Sequence, residues 1–321
     1  MTFPILAIVV GLVVLLWSAG KFVDGAAATA RYLGMSPLLI GMLIIGFGTS
    51  APEMIVSAFA ASQGNPGLAL GNAYGSNIAN IALILGLTAI ISPIAVKSEV
   101  LKKELPLLLG ISLFSVYQLL DLEVSHDDAY ALLGIFVGLM VWSIYSGLKG
   151  GEDALADDVA AEIPEHQPLK TSLISLGIGL VLLIASSRLL VWGAVEVATA
   201  FGVSDVIIGL TIIAIGTSLP ELAAALVAVR KGEHELALGN VIGSNLFNTL
   251  GVVGLAGVIA PMQVESEFLY RDALLMVGLT AALLVFCIGL KGKQGRLNRI
   301  EGSVFSAIYV GYMYYLISAS F

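Results

Sequence analysis

Two glutamates, Glu53 and Glu221, stand inside long apolar stretches, each closing a near-identical hexapeptide: GTSAPE at 48–53 and GTSLPE at 216–221. A carboxylate deep in hydrocarbon is costly, and an ionisable residue at such depth is by default a functional-site candidate. Neither glutamate has a Lys or Arg at helical spacing near its own depth. Arg230 follows Glu221 by nine residues, more than two turns away at about 1.5 Å per residue. The partner is then a mobile cation, unless each glutamate is protonated and merely ties helices together.

The neighbouring residues add more oxygen. Proline has no N–H and clashes with the carbonyl four residues earlier, so Pro52 frees the carbonyl of Gly48 and Pro220 that of Gly216. A bare carbonyl in hydrocarbon costs several kcal/mol, and the hydroxyls of Thr49, Ser50, Thr217 and Ser218 lie beside each break. In the next apolar stretch Asn72, Ser76 and Asn80 are spaced by four, as are Asn240, Ser244 and Asn248, which puts each trio on one helical face. Gly71 with Gly75, and Gly239 with Gly243, form GxxxG pairs that permit close backbone approach. Asn72, Asn240 and these glycines read as structural; Ser76, Asn80, Ser244 and Asn248 read as ligands. The donors are all hard oxygens, which suit Ca²⁺ and Na⁺. With no Cys, His or Met in the segments, Zn²⁺ and Cu⁺ are disfavoured. Two carboxylates balance one Ca²⁺, two Na⁺ or two protons, and leaving both charged and bare is penalised, which favours exchange over leak.

The elements that must hold these residues are written in the composition. Of 321 residues 58% are hydrophobic and 12% charged, with mean hydropathy +0.98, too little polar surface for a soluble domain. Spans of roughly 20 residues fit at 3–33, 37–62, 68–92, 104–121, 128–148, 171–201, 204–230, 236–260, 272–290 and 301–320. The first has no Lys or Arg before Phe3 and reads as a retained span, not a signal peptide. Cys287, the only cysteine, excludes an internal disulfide framework. With a net charge of −8 and no basic stripe, nucleic acid is not a partner.

The chain is also written twice. A shift of 168 residues aligns 46–53 with 214–221 and LALGNAYGSNIAN (68–80) with LALGNVIGSNLFN (236–248); between Ser36 and Asn80, 21 of 45 positions are identical. Five spans per copy is an odd number, so the second copy enters the membrane from the opposite side. The expected fold is an all-α membrane protein of ten transmembrane helices in two inverted five-helix repeats, 1–149 and 171–321, joined by an acidic cytoplasmic linker at 150–170. Repeats of this kind with broken helices mark secondary transporters. Every Lys and Arg except Arg188 and Arg271 falls on one side if the N-terminus is outside, so both termini are expected on the outer (periplasmic) face of the cell, or inner, membrane.

At these residues the chain resembles the sodium/calcium exchanger family of the calcium/cation antiporter superfamily, and its short linker looks like the prokaryotic branch. The family's two signature repeats are similar to GTSAPE…GNAYGSNIAN and GTSLPE…GNVIGSNLFN. The resemblance implies cation contacts from Thr49, Ser50, Glu53, Ser76 and Asn80, and from Thr217, Ser218, Glu221, Ser244 and Asn248, with Ala214 giving a backbone carbonyl. It also implies that the first and sixth helices slide against the others. Several sodium-driven members carry Asp where Asn248 stands, which leaves the driving ion open between Na⁺ and H⁺, and K⁺ dependence open as well. Transported Ca²⁺ and Na⁺ are thus the expected ligands, with no cofactor, and with membrane lipid but no obligate protein partner. A cation channel is the reading from another class. An enzyme is disfavoured, because His126, His166 and His234 lie in loops or at span ends with no nucleophile–base pair.

Overall fold

In the computed structural model the chain is described over residues 2–64, 66–96, 101–149, 168–202, 214–287 and 295–319. Helices dominate. In chain order they are α1 (Thr2–Leu33), α2 (Pro37–Thr49), α3 (Ala51–Ser62), α4 (Gly67–Ile91), α5 (Lys103–Asp121) and α6 (His126–Lys149), followed by α7 (Leu169–Ala200), α8 (Ala214–Thr217), α9 (Leu219–Arg230), α10 (His234–Ile259), α11 (Ser266–Cys287) and α12 (Arg299–Ala319). Seven of them (α1, α4, α5, α6, α7, α10 and α11) are long and apolar enough to cross a membrane, and α2 with α3 adds an eighth if that bent pair is one span. The span expected over 204–230 is described only from Ala214, and the acidic linker lies almost wholly outside the described residues.

The all-helical expectation needs one amendment. Two short antiparallel pairs link loops of the two sequence copies: Ile94–Ala95 with Arg296–Leu297, and Glu123–Val124 with Met262–Gln263. Two of these segments follow Pro93 and Pro261, repeat-related residues that end helical continuation, and pairing satisfies backbone groups that helix ends leave open.

Burial differs widely among the helices, and α6 is the least buried of the seven at 17%. α10 and α4 form the interior, with 83% and 72% of their most apolar windows buried, whereas α1 and α7 are 28% and 22% buried. The latter two lie side by side through glycines. A Cβ on Gly25 would sit 2.5 Å from the Leu176 nitrogen, and one on Gly179 would sit 2.6 Å from the Phe22 nitrogen. Gly11 meets Leu190, and Gly193 meets the Pro4 carbonyl, in the same way. Gly11 with Gly179, and Gly25 with Gly193, are related by the 168-residue shift, so the duplication supplies both halves of one close antiparallel contact.

The same device seats α2 on α10. A Cβ on Gly239 would come 2.4 Å from the Leu38 oxygen, and on Gly243 2.4 Å from the Met42 oxygen. Close approach at this GxxxG is therefore as expected. The segment that the repeat would set against Gly71 and Gly75 falls at 203–213, outside the described residues.

Candidate cation site

Both hexapeptides break their helices. Ser50 has φ −84° and ψ 0°, and Ser218 φ −92° and ψ 7°, in the bridge region between helix and strand. Pro52 and Pro220 follow in the first turn of α3 and α9, where a missing N–H costs nothing further. The axes of α2 and α3 differ by 45°. The Ser50 amide donates to the Gly46 carbonyl (3.0 Å), and the Ser218 amide to that of Ile215 (3.1 Å). The second break thus includes a tighter, three-residue turn.

The breaks deliver Glu53 and Glu221 to the interior, at 0% and 1% exposure. The two side chains are near enough to interact electrostatically. Both Glu53 carboxylate oxygens and Oε2 of Glu221 lack any hydrogen-bond partner, as do the buried hydroxyls of Ser50 and Ser218. Among the described residues, neither carboxylate is paired with a Lys or Arg; those ion pairs are Lys231–Asp24 (2.5 Å), Arg271–Glu267 (2.6 Å) and Arg271–Asp272 (2.9 Å). A buried carboxylate without compensation costs several kcal/mol, so this donor set fits a cation.

Contacts across the two copies knit the site. The Thr49 hydroxyl lies 3.0 Å from the Ile45 carbonyl, 3.2 Å from Asn240 Oδ1 and 3.4 Å from Ser244 Oγ. Asn72 Nδ2 donates to the Glu53 carbonyl (3.0 Å), and Asn240 Nδ2 to the Glu221 carbonyl (3.3 Å). Each asparagine thus fixes the backbone of its own glutamate, the structural role expected for both.

The polar stripes run as predicted only as far as Ser76 and Ser244. From Ala79 and from Phe247 the ladder widens to π-helix, over Ala79–Leu85 and Phe247–Val252. Asn80 and Asn248 are the second residues of these turns, so the widening re-aims them relative to an ideal α-helix. Such single turns recur at functional sites. Asn80 Nδ2 donates to Asn245 Oδ1 (2.9 Å), and its own Oδ1 has no hydrogen-bond partner; neither amide atom of the buried Asn248 has one. Ser76 and Ser244 are buried beside this network, Thr217 is half-buried, and Ala214 is described by its backbone.

A model of the family described as sodium/calcium exchanger protein matches residues 3–145 and 171–318. The chain belongs to the sodium/calcium exchanger family. It is 48% identical over 97% of its length to the putative antiporter CaxA of Alkalimonas amylolytica, covering 98% of that protein. Identity with the inner membrane protein YrbG of Escherichia coli is 40%, with 86% of this chain and 87% of that one aligned. A solved structure of the sodium-calcium exchanger NCX_Mj, soaked with 10 mM Na⁺ and 10 mM Sr²⁺, matches with TM-score 0.82 and 33% identity over 96% of this chain and 97% of that one. The exchanger described here is accordingly a multi-span membrane protein of a transporter family of cation/Ca²⁺ antiporters.

Sequence reasoning passed over three of the exchanger's residues. Asn77 and Asn245, one position beyond the serine of each stripe, connect the copies: Asn77 Nδ2 donates to Thr249 Oγ1 (2.8 Å), and Asn245 Nδ2 to the Asn77 carbonyl (3.5 Å). Their identity in both copies was the available signal. Ser187, on α7, donates to the Gly216 carbonyl at 3.0 Å, and nothing local in its sequence announces it. Away from the site, His126 donates through Nδ1 to the Gly257 carbonyl (3.1 Å), and Asp128 Oδ2 accepts from the Ser125 amide and hydroxyl at the start of α6. No group of three metal-ligating side chains occurs among the described residues.

Proposed function

We propose that this exchanger moves Ca²⁺ against Na⁺ by alternating access, as ten transmembrane helices in two inverted five-helix repeats, 1–149 and 171–321, around an acidic cytoplasmic linker at 150–170. Both termini face outward, following the distribution of Lys and Arg. The observation that carries the reading is the Glu53–Glu221 pair: buried, drawn from the two copies and given no fixed positive partner among the described residues. One Ca²⁺ or two monovalent cations neutralise it. The ligands in this reading are Thr49, Ser50, Glu53, Ser76 and Asn80 with Thr217, Ser218, Glu221, Ser244 and Asn248, and the carbonyl of Ala214. The similar NCX_Mj structures, soaked with Na⁺ and with Ca²⁺ or Sr²⁺, support Na⁺ as the counter-ion. The close antiparallel contact of α1 with α7 supports their movement as one unit against the buried helices.

A second reading, Ca²⁺/H⁺ exchange, draws on the same pair, since two protons neutralise it equally well. It also draws on Asn248, an amide where several sodium-driven members carry a carboxylate. Reconstituted ⁴⁵Ca²⁺ flux with Na⁺, K⁺ and pH gradients imposed one at a time tests both. The expected result is uptake driven by an outward Na⁺ gradient at constant pH. Uptake driven by a pH gradient in Na⁺-free buffer would transfer the reading to protons, and unitary currents in a bilayer would replace antiport with a channel.

A further inference from the structure

The two helix breaks carry the same sequence but are not held in the same way. At the second, the Gly216 carbonyl that Pro220 releases accepts a hydrogen bond from Ser187 on α7, a residue 4% exposed. The position equivalent to Ser187 in the first copy is Ala19, which has nothing to donate. α7 nevertheless covers both breaks. A Cβ on Gly48 would lie 2.9 Å from Leu180 Cδ2, and one on Gly216 would lie 2.3 Å from Val191 Cγ2. Leu180, Ser187 and Val191 are spaced by seven and four residues, one face of a helix. Along that face α7 touches the first break with an alkyl side chain and the second with a hydroxyl.

The geometry points to Ser187 as a positioning residue of the transport cycle, fastening the second break to α7. A serine at such a place ordinarily bonds back to a carbonyl in its own helix, as the adjacent Ser186 does with Leu183 at 3.1 Å. Ser187 instead reaches a different helix, one residue before Thr217 and five before Glu221. With the bond in place, the segment that presents Thr217, Ser218 and Glu221 is ordered before a cation arrives, and less order has to be imposed on binding. α7 also cannot shift along α8 without breaking it.

The inference rests on the exchange activity proposed above, so its test has one readout that needs no transport. Ser187→Ala and Ser187→Thr are compared with Ser186→Ala, whose hydroxyl serves only its own helix. In reconstituted exchange, Ser187→Ala raises KM for Ca²⁺ about fivefold to tenfold, the size of one buried hydrogen bond, with maximal rate per folded transporter within about twofold. Thr restores KM, and Ser186→Ala matches the wild type. In hydrogen exchange, the amides of 216–222 open about fivefold to tenfold faster in Ser187→Ala alone. Should Ser187→Ala express poorly, Ser187→Val against Ser187→Thr keeps the shape and changes only the hydroxyl. Wild-type protection and wild-type KM in the Ala or Val variant would overturn the positioning role. A wild-type protein that exchanges nothing, with protection still lost in Ser187→Ala, would count against the transport reading and leave the fastening standing.

Discussion

The hydroxyl of Thr49, in the first sequence copy, lies 3.2 Å from Oδ1 of Asn240 in the second. Asn240 in turn donates through Nδ2 to the backbone carbonyl of Glu221. One short chain of bonds therefore runs from the break beside Glu53 to the backbone of the opposing glutamate. Thr49→Val keeps the shape and removes the hydroxyl, which leaves Asn240 Oδ1 short of a buried donor at a cost of about 1–3 kcal/mol. Ca²⁺ affinity in the variant is expected to fall about tenfold. A Thr49→Val/Asn240→Ala double-mutant cycle should be non-additive by about 0.5–3 kcal/mol. Simple additivity of the two losses in titrations of purified protein would show that this bond carries no coupling.

Glu53→Gln and Glu221→Gln are expected to abolish Ca²⁺ uptake while raising the melting temperature in cation-free detergent buffer. Each replaces a buried acid whose charged form no protein group among the described residues compensates, and relief of that cost stabilises. Functional sites characteristically store this kind of cost. The wild type should gain stability from Ca²⁺ by linkage, about 2.7 kcal/mol at a hundredfold excess over Kd, and both variants should lose that gain. Thermal unfolding with and without Ca²⁺ reads both effects. A variant still stabilised by Ca²⁺ like the wild type would remove its glutamate from the site.

Much of this site was legible in the residues. The 168-residue shift, the proline after each GTS and the lone glutamates gave the breaks and the acids, because those residue types act through short-range physics. The π-turns at Ala79–Leu85 and Phe247–Val252 were not legible, since apolar residues suit either ladder and tertiary packing decides between them. Asn77 and Asn245 were missed because they fall off the i, i+4 stripe of Ser76 and Ser244. Ser187 was hidden for another reason: its partner, Gly216, is 29 residues away, and no spacing rule reaches that far. The strand pairs likewise join segments that only the assembled fold brings together.

Asn245→Leu is expected to weaken Ca²⁺ binding although Asn245 is not among the proposed ligands. Its Oδ1 accepts from Asn80 Nδ2 at 2.9 Å, which fixes the amide orientation and turns Asn80 Oδ1 to the side without a protein donor. Without that acceptor the Asn80 amide loses its orienting contact, and affinity should fall about tenfold with a stability loss of about 1–3 kcal/mol. Isothermal titration alongside denaturation separates the two. Loss of stability with unchanged affinity would reduce Asn245 to packing.

Asn248→Asp tests the residue at which this chain departs from several sodium-driven members of its family. Asn248 is 1% exposed, and neither Oδ1 nor Nδ2 has a hydrogen-bond partner, so a carboxylate there has no protein cation waiting for it. An ionised third acid among the proposed ligands adds one negative charge to the carrier. That charge has to be met by a proton or by a further monovalent cation. The expected consequence is a change in the Na⁺ dependence of exchange or in the charge moved per turnover. Proteoliposomes holding a set membrane potential would show it as an altered voltage dependence of ⁴⁵Ca²⁺ uptake, and a Na⁺ titration as a changed Hill slope. If the variant folds, transports at the wild-type rate and alters neither, residue 248 does not face the transported ions and leaves the ligand set of the second copy.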